Sequence, residues 1–304
     1  MLVSRNIKIS DIIGGTFTNT YRVILVSTGT YLLNFYVFGD HFHFPTIVPT
    51  VLGTGLAFFI GFNNNQAYDR WWEARKIWGG IVNDSRSFAR MVLTQIPSSN
   101  DPEDEISRMK KRLINRHIAF LYLLKDNLRD QDTRYYLNYI SASEYLKVLE
   151  NSTNKHNRVL ELQAIDLEYL YKNNYIDGFK YLEFNKMLIN FTDLMGKSER
   201  IKGTVFPTTY RYYTYIFTWI FIITVTLVIS DYTGFWSILY ASLLGYVFLT
   251  IQALGQSLVN PFKNIPTGIS LSQITRNIER NLLEMQGEEK LPEVEPIIDA
   301  NYVM

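Results

Sequence analysis

The chain has 304 residues with 30 basic against 29 acidic side chains, a net charge of +1 that recommends no polyanionic partner such as nucleic acid. It contains no cysteine, which excludes disulfides, thiolate metal sites and cysteine nucleophiles together. The hydrophobic fraction of 47% looks globular on average, but the uncharged residues are bunched into four runs.

The opening MLVSRNIKISDIIGGTF has basic residues but no continuous apolar core followed by a small-residue cleavage site, so it does not read as a secretory signal. The four runs are residues 23–38, 44–62, 212–230 and 235–259. A helix of about 20 residues crosses roughly 30 Å of hydrocarbon, and the runs approach that length. The first is short and includes Ser27, Thr28 and Asn34, so taken alone it also fits a buried helix of a soluble protein.

The flanking charge favours a membrane. Arg5, Lys8 and Arg22 precede the first run, and Arg70, Arg75, Lys76, Arg86 and Arg90 follow the second. Lys197, Arg200, Lys202 and Arg211 precede the third, and Lys263 and Arg276 follow the fourth. The connectors GDHFH and DYTG have neither lysine nor arginine. Basic flanks stay cytoplasmic, which predicts a multi-pass protein of the cell (inner) membrane with both termini and the long middle region inside. Trp71, Trp72, Trp219 and Trp236 lie near run ends and suit an interfacial aromatic belt. The expected fold class is all-α, an integral membrane protein with four transmembrane helices and a cytoplasmic helical region. Its divisions are 1–65, 66–211, 212–259 and a C-terminal helix and tail over 260–304.

In the middle region Trp71, Ala74, Trp78, Ile81, Ser85, Phe88 and Val92 recur every three or four residues, the stripe of a helix facing a core. The PSSNDP segment at residues 97–102 breaks it. A second stripe carries Met109, Leu113, Ile114, Ile118 and Leu121. Shorter helical pieces are expected over 145–149 and 159–171, and a longer one over 178–201. Ser270 or Ser272 caps a last helix with Leu271, Ile274, Ile278 and Leu282, ended by Gly287. The acidic tail beyond Glu288 is a weak fold former that wraps a neighbour or stays mobile.

Catalytic chemistry has little to stand on. No glycine-rich phosphate loop, HExxH pattern or serine nucleophile motif is present, and no catalytic residue, cofactor or resident metal is expected. His41 and His43 beside Asp40 form the one metal-like cluster, readable as a surface metal site or as a polar loop at an outer mouth. His117, flanked by apolar residues, reads as a hydrogen-bonded core residue.

The second run is more informative. Thr54, Phe58 and Phe62 are spaced by four, so each lies about 40° further round a helix and about 6 Å further along it. Gly53, Gly55, Ala57 and Gly61 flank this line and allow close helix approach. Around an axis the line becomes three stacked rings, a hydrophobic constriction that gates by dewetting, ending at Asn63, Asn64 and Asn65. The same spacing equally describes an interhelical or lipid-facing stripe.

At these residues the sequence resembles the bestrophin family, particularly its bacterial branch. The stretch from residue 50 to 90 matches the family's second helix and the cytoplasmic helix after it, with Gly61, Phe62, Arg70, Trp71 and Trp72 in corresponding places. SERI at residues 198–201, Pro207 before the third run and NPF at residues 260–262 also match. The resemblance implies a homopentamer whose second helices line a pore neck at Thr54, Phe58 and Phe62. It implies a narrow cytoplasmic aperture at Ile201 and a wide vestibule below the membrane. Animal relatives bind calcium through an acidic cluster after the NPF motif, whereas KNIPTGI offers Lys263 and no carboxylate, which argues against calcium gating there. Thr54 stands where an aliphatic residue is usual and wets or widens that end of the neck.

Family members pass anions or cations, and the residues pull both ways. Electropositive ring edges of Phe58 and Phe62 favour an anion such as chloride. Asp40 and Asp231, at an outer mouth without basic neighbours, concentrate monovalent cations. The expectation is a passive ion channel in the lipid bilayer, leaning to chloride, with a cation-selective channel of the same fold as the alternative. A membrane-anchored sensor or enzyme using His41 and His43 belongs to a different class. A coupled transporter predicts mid-membrane ionisable groups, and the second run has none.

Overall fold

The computed structural model describes residues 9–39, 43–97, 104–141, 143, 149–205 and 208–296, with side chains from residue 19 onward. Their regular structure is helical, and no strand occurs among them. The chain divides into two compact units. The first draws on the described residues between 9 and 71 and between 205 and 260; the second draws on 72–204 and 261–296.

The first unit contains α1 (Ile9–Leu33), which tightens into a five-residue π turn at Asn34–Phe38, and the opening half of α2 (Ile47–Gln95). It also contains α6 (Thr208–Thr233) and α7 (Ser237–Leu258), joined by a 3-10 turn at Gly234–Trp236. Gly234, at φ 56°, takes the left-handed conformation that this turn requires and that side chains resist. Glycines also set the helix spacing. A Cβ on Gly245 would meet Ile222 and Val23 at 2.8 Å, so α7 approaches both α6 and α1 through a bare backbone.

This unit is apolar outside and partly polar inside. Leu25, Val51, Leu243 and Leu254 are exposed, while Thr214, Thr218, Thr226 and Ser230 of α6 are buried. Each of those hydroxyls donates to a backbone carbonyl of its own helix, at 2.7, 2.7, 2.6 and 2.7 Å. Such a surface suits hydrocarbon, where polar groups must be satisfied internally. Two stretches, residues 47–95 and 209–258, are long and apolar enough by composition to cross a membrane. The second spans the turn at Gly234, so it holds both later runs; α1, with its buried Ser27, is not among these stretches.

The second unit is organised around the remainder of α2 and α3 (Glu105–Arg129), with α4 (Lys155–Lys172), α5 (Gly178–Gly203) and α8 (Leu271–Met285). Ala74, Trp78, Ile81, Ser85, Phe88 and Val92 are all buried, as a 3.6-residue period demands. Met109, Leu113, Ile114, Ile118 and Leu121 of α3 are buried likewise. The helical piece expected over 145–149 falls almost entirely outside the described residues. A 3-10 turn at Tyr135–Tyr139 was not expected.

The tail beyond Glu288 is held through residue 296 by its own unit, which differs from a mobile or neighbour-wrapping segment. Lys111 pairs with Glu288 at 2.5 Å, Arg280 donates to the Pro292 carbonyl, and Arg276 reaches Glu295 at 3.3 Å. Arg276 also pairs at 2.7 Å with Glu279, a fully buried carboxylate that accepts from the hydroxyls of Tyr122 and Tyr139. Burial and the adjacent Glu279 hold both phenols far above their ordinary range.

Candidate functional site: an open face of α2

Within the first unit α2 has two faces. Leu56, Ile60 and Ala67 are buried, and Leu56 packs with Phe221, Val225 and Ala241 of α6 and α7. A Cβ on Gly53 would lie 2.9 Å from the Phe221 ring, so this glycine admits α6 to the helix. The opposite face is uncovered. Phe58 and Phe62 are 64% and 65% exposed, and Thr54 is exposed one turn before them.

Together with Gly53, Ala57, Gly61 and Asn65 they line a concavity of about 680 Å³ with no ionisable lining residue. The two rings lie 6.4 Å apart between centroids with planes inclined by 25°. Thr54 donates to the Thr50 carbonyl at 2.9 Å, so its hydroxyl is satisfied by its own helix. The face ends at Asn65, while Asn64 turns to the other side of the helix. Asn64 donates to the Ile251 carbonyl of α7 at 3.0 Å, where Gly255 leaves room for its side chain.

The expected outer cluster is described in part. Asp40 and His41 lie outside the described residues. Asp231 accepts from Asn34 Nδ2 at 3.3 Å and faces His43 Nδ1 at 3.2 Å, while Asn34 also donates to Ser230 at 2.7 Å. Sequence reasoning missed Asn34 and His43 as partners of Asp231 because they lie 197 and 188 residues away. Among the described residues no group of three His, Asp or Glu is placed to hold a metal ion.

Ile201, the aperture residue that the family resemblance implies, lies near the end of α5. It is 5% exposed in the single chain. Its neighbours fix α5 in place. Glu199 accepts from His156 Nε2 at 2.7 Å, Arg200 donates to Glu73 at 2.9 Å, and Lys202 pairs with Asp130 at 2.5 Å. The open apolar side chains of α5 are Phe179, Leu182 and Ile189. Burial pushes His156 below its ordinary range, against the opposing pull of Glu199.

His117 occupies the core as expected. Ser85 donates to the Ile81 carbonyl at 2.5 Å, which leaves its oxygen to accept from His117 Nε2 at 2.9 Å. The ring lies 4.4 Å from Phe191 and 5.3 Å from Phe88, and full burial pushes its pKa down to about 3.

The family model for the Bacterial/Fungal Bestrophin protein matches residues 4–284. This chain belongs to that family. It is 28% identical over 248 residues to the voltage-dependent anion channel-forming protein YneE of Escherichia coli strain K12, covering 81% of this chain and 79% of that one. A relative from Nostoc, the voltage-dependent anion channel-forming protein alr2987, is 28% identical over 240 residues, with 78% and 75% covered. The fold matches the crystal structure of a bacterial bestrophin homolog from Klebsiella pneumoniae with a TM-score of 0.83. That match has 22% identity and covers 90% of this chain and 99% of the other.

Proposed function

We propose that this chain forms a passive anion channel, assembled as a homopentamer around the open face of α2. The observation that carries the reading is an uncharged, aromatic and small-residue face left uncovered on a helix whose other side is buried in its own bundle. The relatives' designation as anion channel-forming proteins supports the same conclusion. Repeated by symmetry, Thr54, Phe58 and Phe62 make stacked rings over about 12 Å of axis. Phenylalanine edges turned inward present positive ends of ring quadrupoles to a dehydrating anion, with chloride as the intended ion.

In this reading α1, α2, α6 and α7 each cross the bilayer, the termini are cytoplasmic, and the protein works without catalysis. The second unit lies on the cytoplasmic side. Ile201 forms the cytoplasmic aperture of this reading, as the family resemblance implies. In proteoliposomes bearing opposed salt gradients, a reversal potential close to the chloride equilibrium potential is the expected result.

One observation favours a cation-selective channel of the same fold. Asp231 is the only acidic residue between positions 205 and 260, and its outer-end carboxylate is positioned by Asn34 and His43. Asp231→Asn separates the readings: a large fall in cation permeability in dilute salt supports the cation channel, and unchanged selectivity supports the anion channel.

A further inference from the structure

Arg211 is the single basic residue between positions 205 and 260, and it stands twenty residues before Asp231 on the same helix. At 1.5 Å per residue that separation is about 30 Å, the thickness of bilayer hydrocarbon. Arg211 therefore marks the opposite boundary of the first unit, on the side where basic residues collect. At that level Thr209, Arg211, Tyr212, Tyr213, Tyr215 and Gln256 line a pocket of about 620 Å³. It gathers one guanidinium, four hydroxyls and an amide, a donor-rich set with no carboxylate. One turn further along α7 toward the mid-membrane, Gln252 is 4% exposed, and neither of its amide atoms meets a protein hydrogen-bond partner.

We propose that this pocket binds the headgroup of an anionic phospholipid, with the Arg211 fork on the phosphate oxygens. A planar guanidinium matches phosphate in a two-point contact, and tyrosines place apolar ring and polar hydroxyl on either side of the membrane boundary. The missing carboxylate selects for net negative charge. The site stands apart from the α2 neck, and the proposal rests on the reading that the first unit lies in the bilayer.

The test is lipid retention on the purified, assembled full-length protein, measured by native mass spectrometry after titration with phosphatidylglycerol, phosphatidylcholine, diacylglycerol or inorganic phosphate. Phosphatidylglycerol is expected to bind, phosphatidylcholine more weakly and diacylglycerol not at all, with millimolar inorganic phosphate failing to compete. Arg211→Gln is expected to weaken binding roughly tenfold or more, as loss of a charge-assisted pair does. Arg22→Gln, at another exposed basic position, is expected to leave binding unchanged.

Equal binding to Arg211→Gln overturns the site, equal loss in Arg22→Gln shows a diffuse charge effect, and competition by inorganic phosphate shows a free-anion site. Failure of any lipid to bind shows a pocket filled by other means, such as a neighbouring subunit. If Arg211→Gln does not assemble, Arg211→Lys and Gln256→Leu carry the same comparison, each expected to bind several-fold more weakly. Ion flux in the same preparation reports separately on conduction, so the lipid site and the channel reading fail independently.

Discussion

Phe58 and Phe62 stand one turn apart on the open face of α2, their rings 6.4 Å between centroids and inclined by only 25°. Two large apolar rings held side by side and left about two-thirds exposed demand a partner other than water. If that partner is the same face of neighbouring copies, the pair forms the tightest part of the pore. Phe58→Ala with Phe62→Ala then raises single-channel conductance several-fold while the oligomer elutes unchanged. An unaltered conductance removes the pair from the constriction.

Asn64 and Gly255 set the spacing between α2 and α7. A Cβ at residue 255 would lie 2.6 Å from Asn64 Cγ and 3.4 Å from its Cα, so Gly255→Ala must displace the amide from the Ile251 carbonyl. Overpacking of this kind costs about 1–3 kcal/mol. The expected readout is a lowered melting temperature, because Asn64 joins α2 to α7 on the side of the helix away from Phe62. Gly255→Ala combined with Asn64→Ala relieves the clash, and recovery of stability in the double variant checks the contact.

His117 and His156 make the second unit sensitive to mild acid. Both are held below the ordinary histidine value, so the unfolded chain binds more protons than the folded one as pH falls through about 6.5. Stability contributed by the neutral rings is complete above that value and is lost as pH drops toward the folded pKa. For His117 the window extends down to about 3. Each histidine contributes a slope of about 1.4 kcal/mol per pH unit within its window. Denaturant unfolding between pH 7 and 5 measures the slope, and His117→Gln is expected to flatten it.

Asp166 anchors α3 to α4 through two arginines. Arg112 donates to it at 2.7 and 3.2 Å, and the buried Arg116 donates to it and, at 2.8 Å, to the Leu162 carbonyl. Asp166→Ala leaves Arg116 buried without its carboxylate, a loss of about 3–5 kcal/mol. Removing the surface pair of Arg158 and Glu161, whose side chains are 37% and 51% exposed, costs less than about 1 kcal/mol. Comparing the two unfolding free energies checks the assignment.

The apolar stripes were legible because burial follows helical period. Ala74 through Val92 and Met109 through Leu121 needed only spacing to be placed in a core. The continuity of α2 from Ile47 to Gln95 was less so: the polar run from Asn63 to Arg70 reads as a boundary, yet it contains no proline or glycine to stop a helix. Thr54, Phe58 and Phe62 share one face by arithmetic alone, but whether that face is open depends on what α6 and α7 cover. The partners of Asp231 and the anchoring of Glu295 are long-range pairings that no local pattern announces.

The most direct test of the channel reading is the reversal potential of purified protein in liposomes, with potassium and chloride gradients set in opposition. A potential lying near the chloride equilibrium value, and shifted by substitution at Phe58 and Phe62, is the predicted result. A potential that follows potassium contradicts anion selectivity, and the absence of flux from a correctly assembled oligomer contradicts conduction itself.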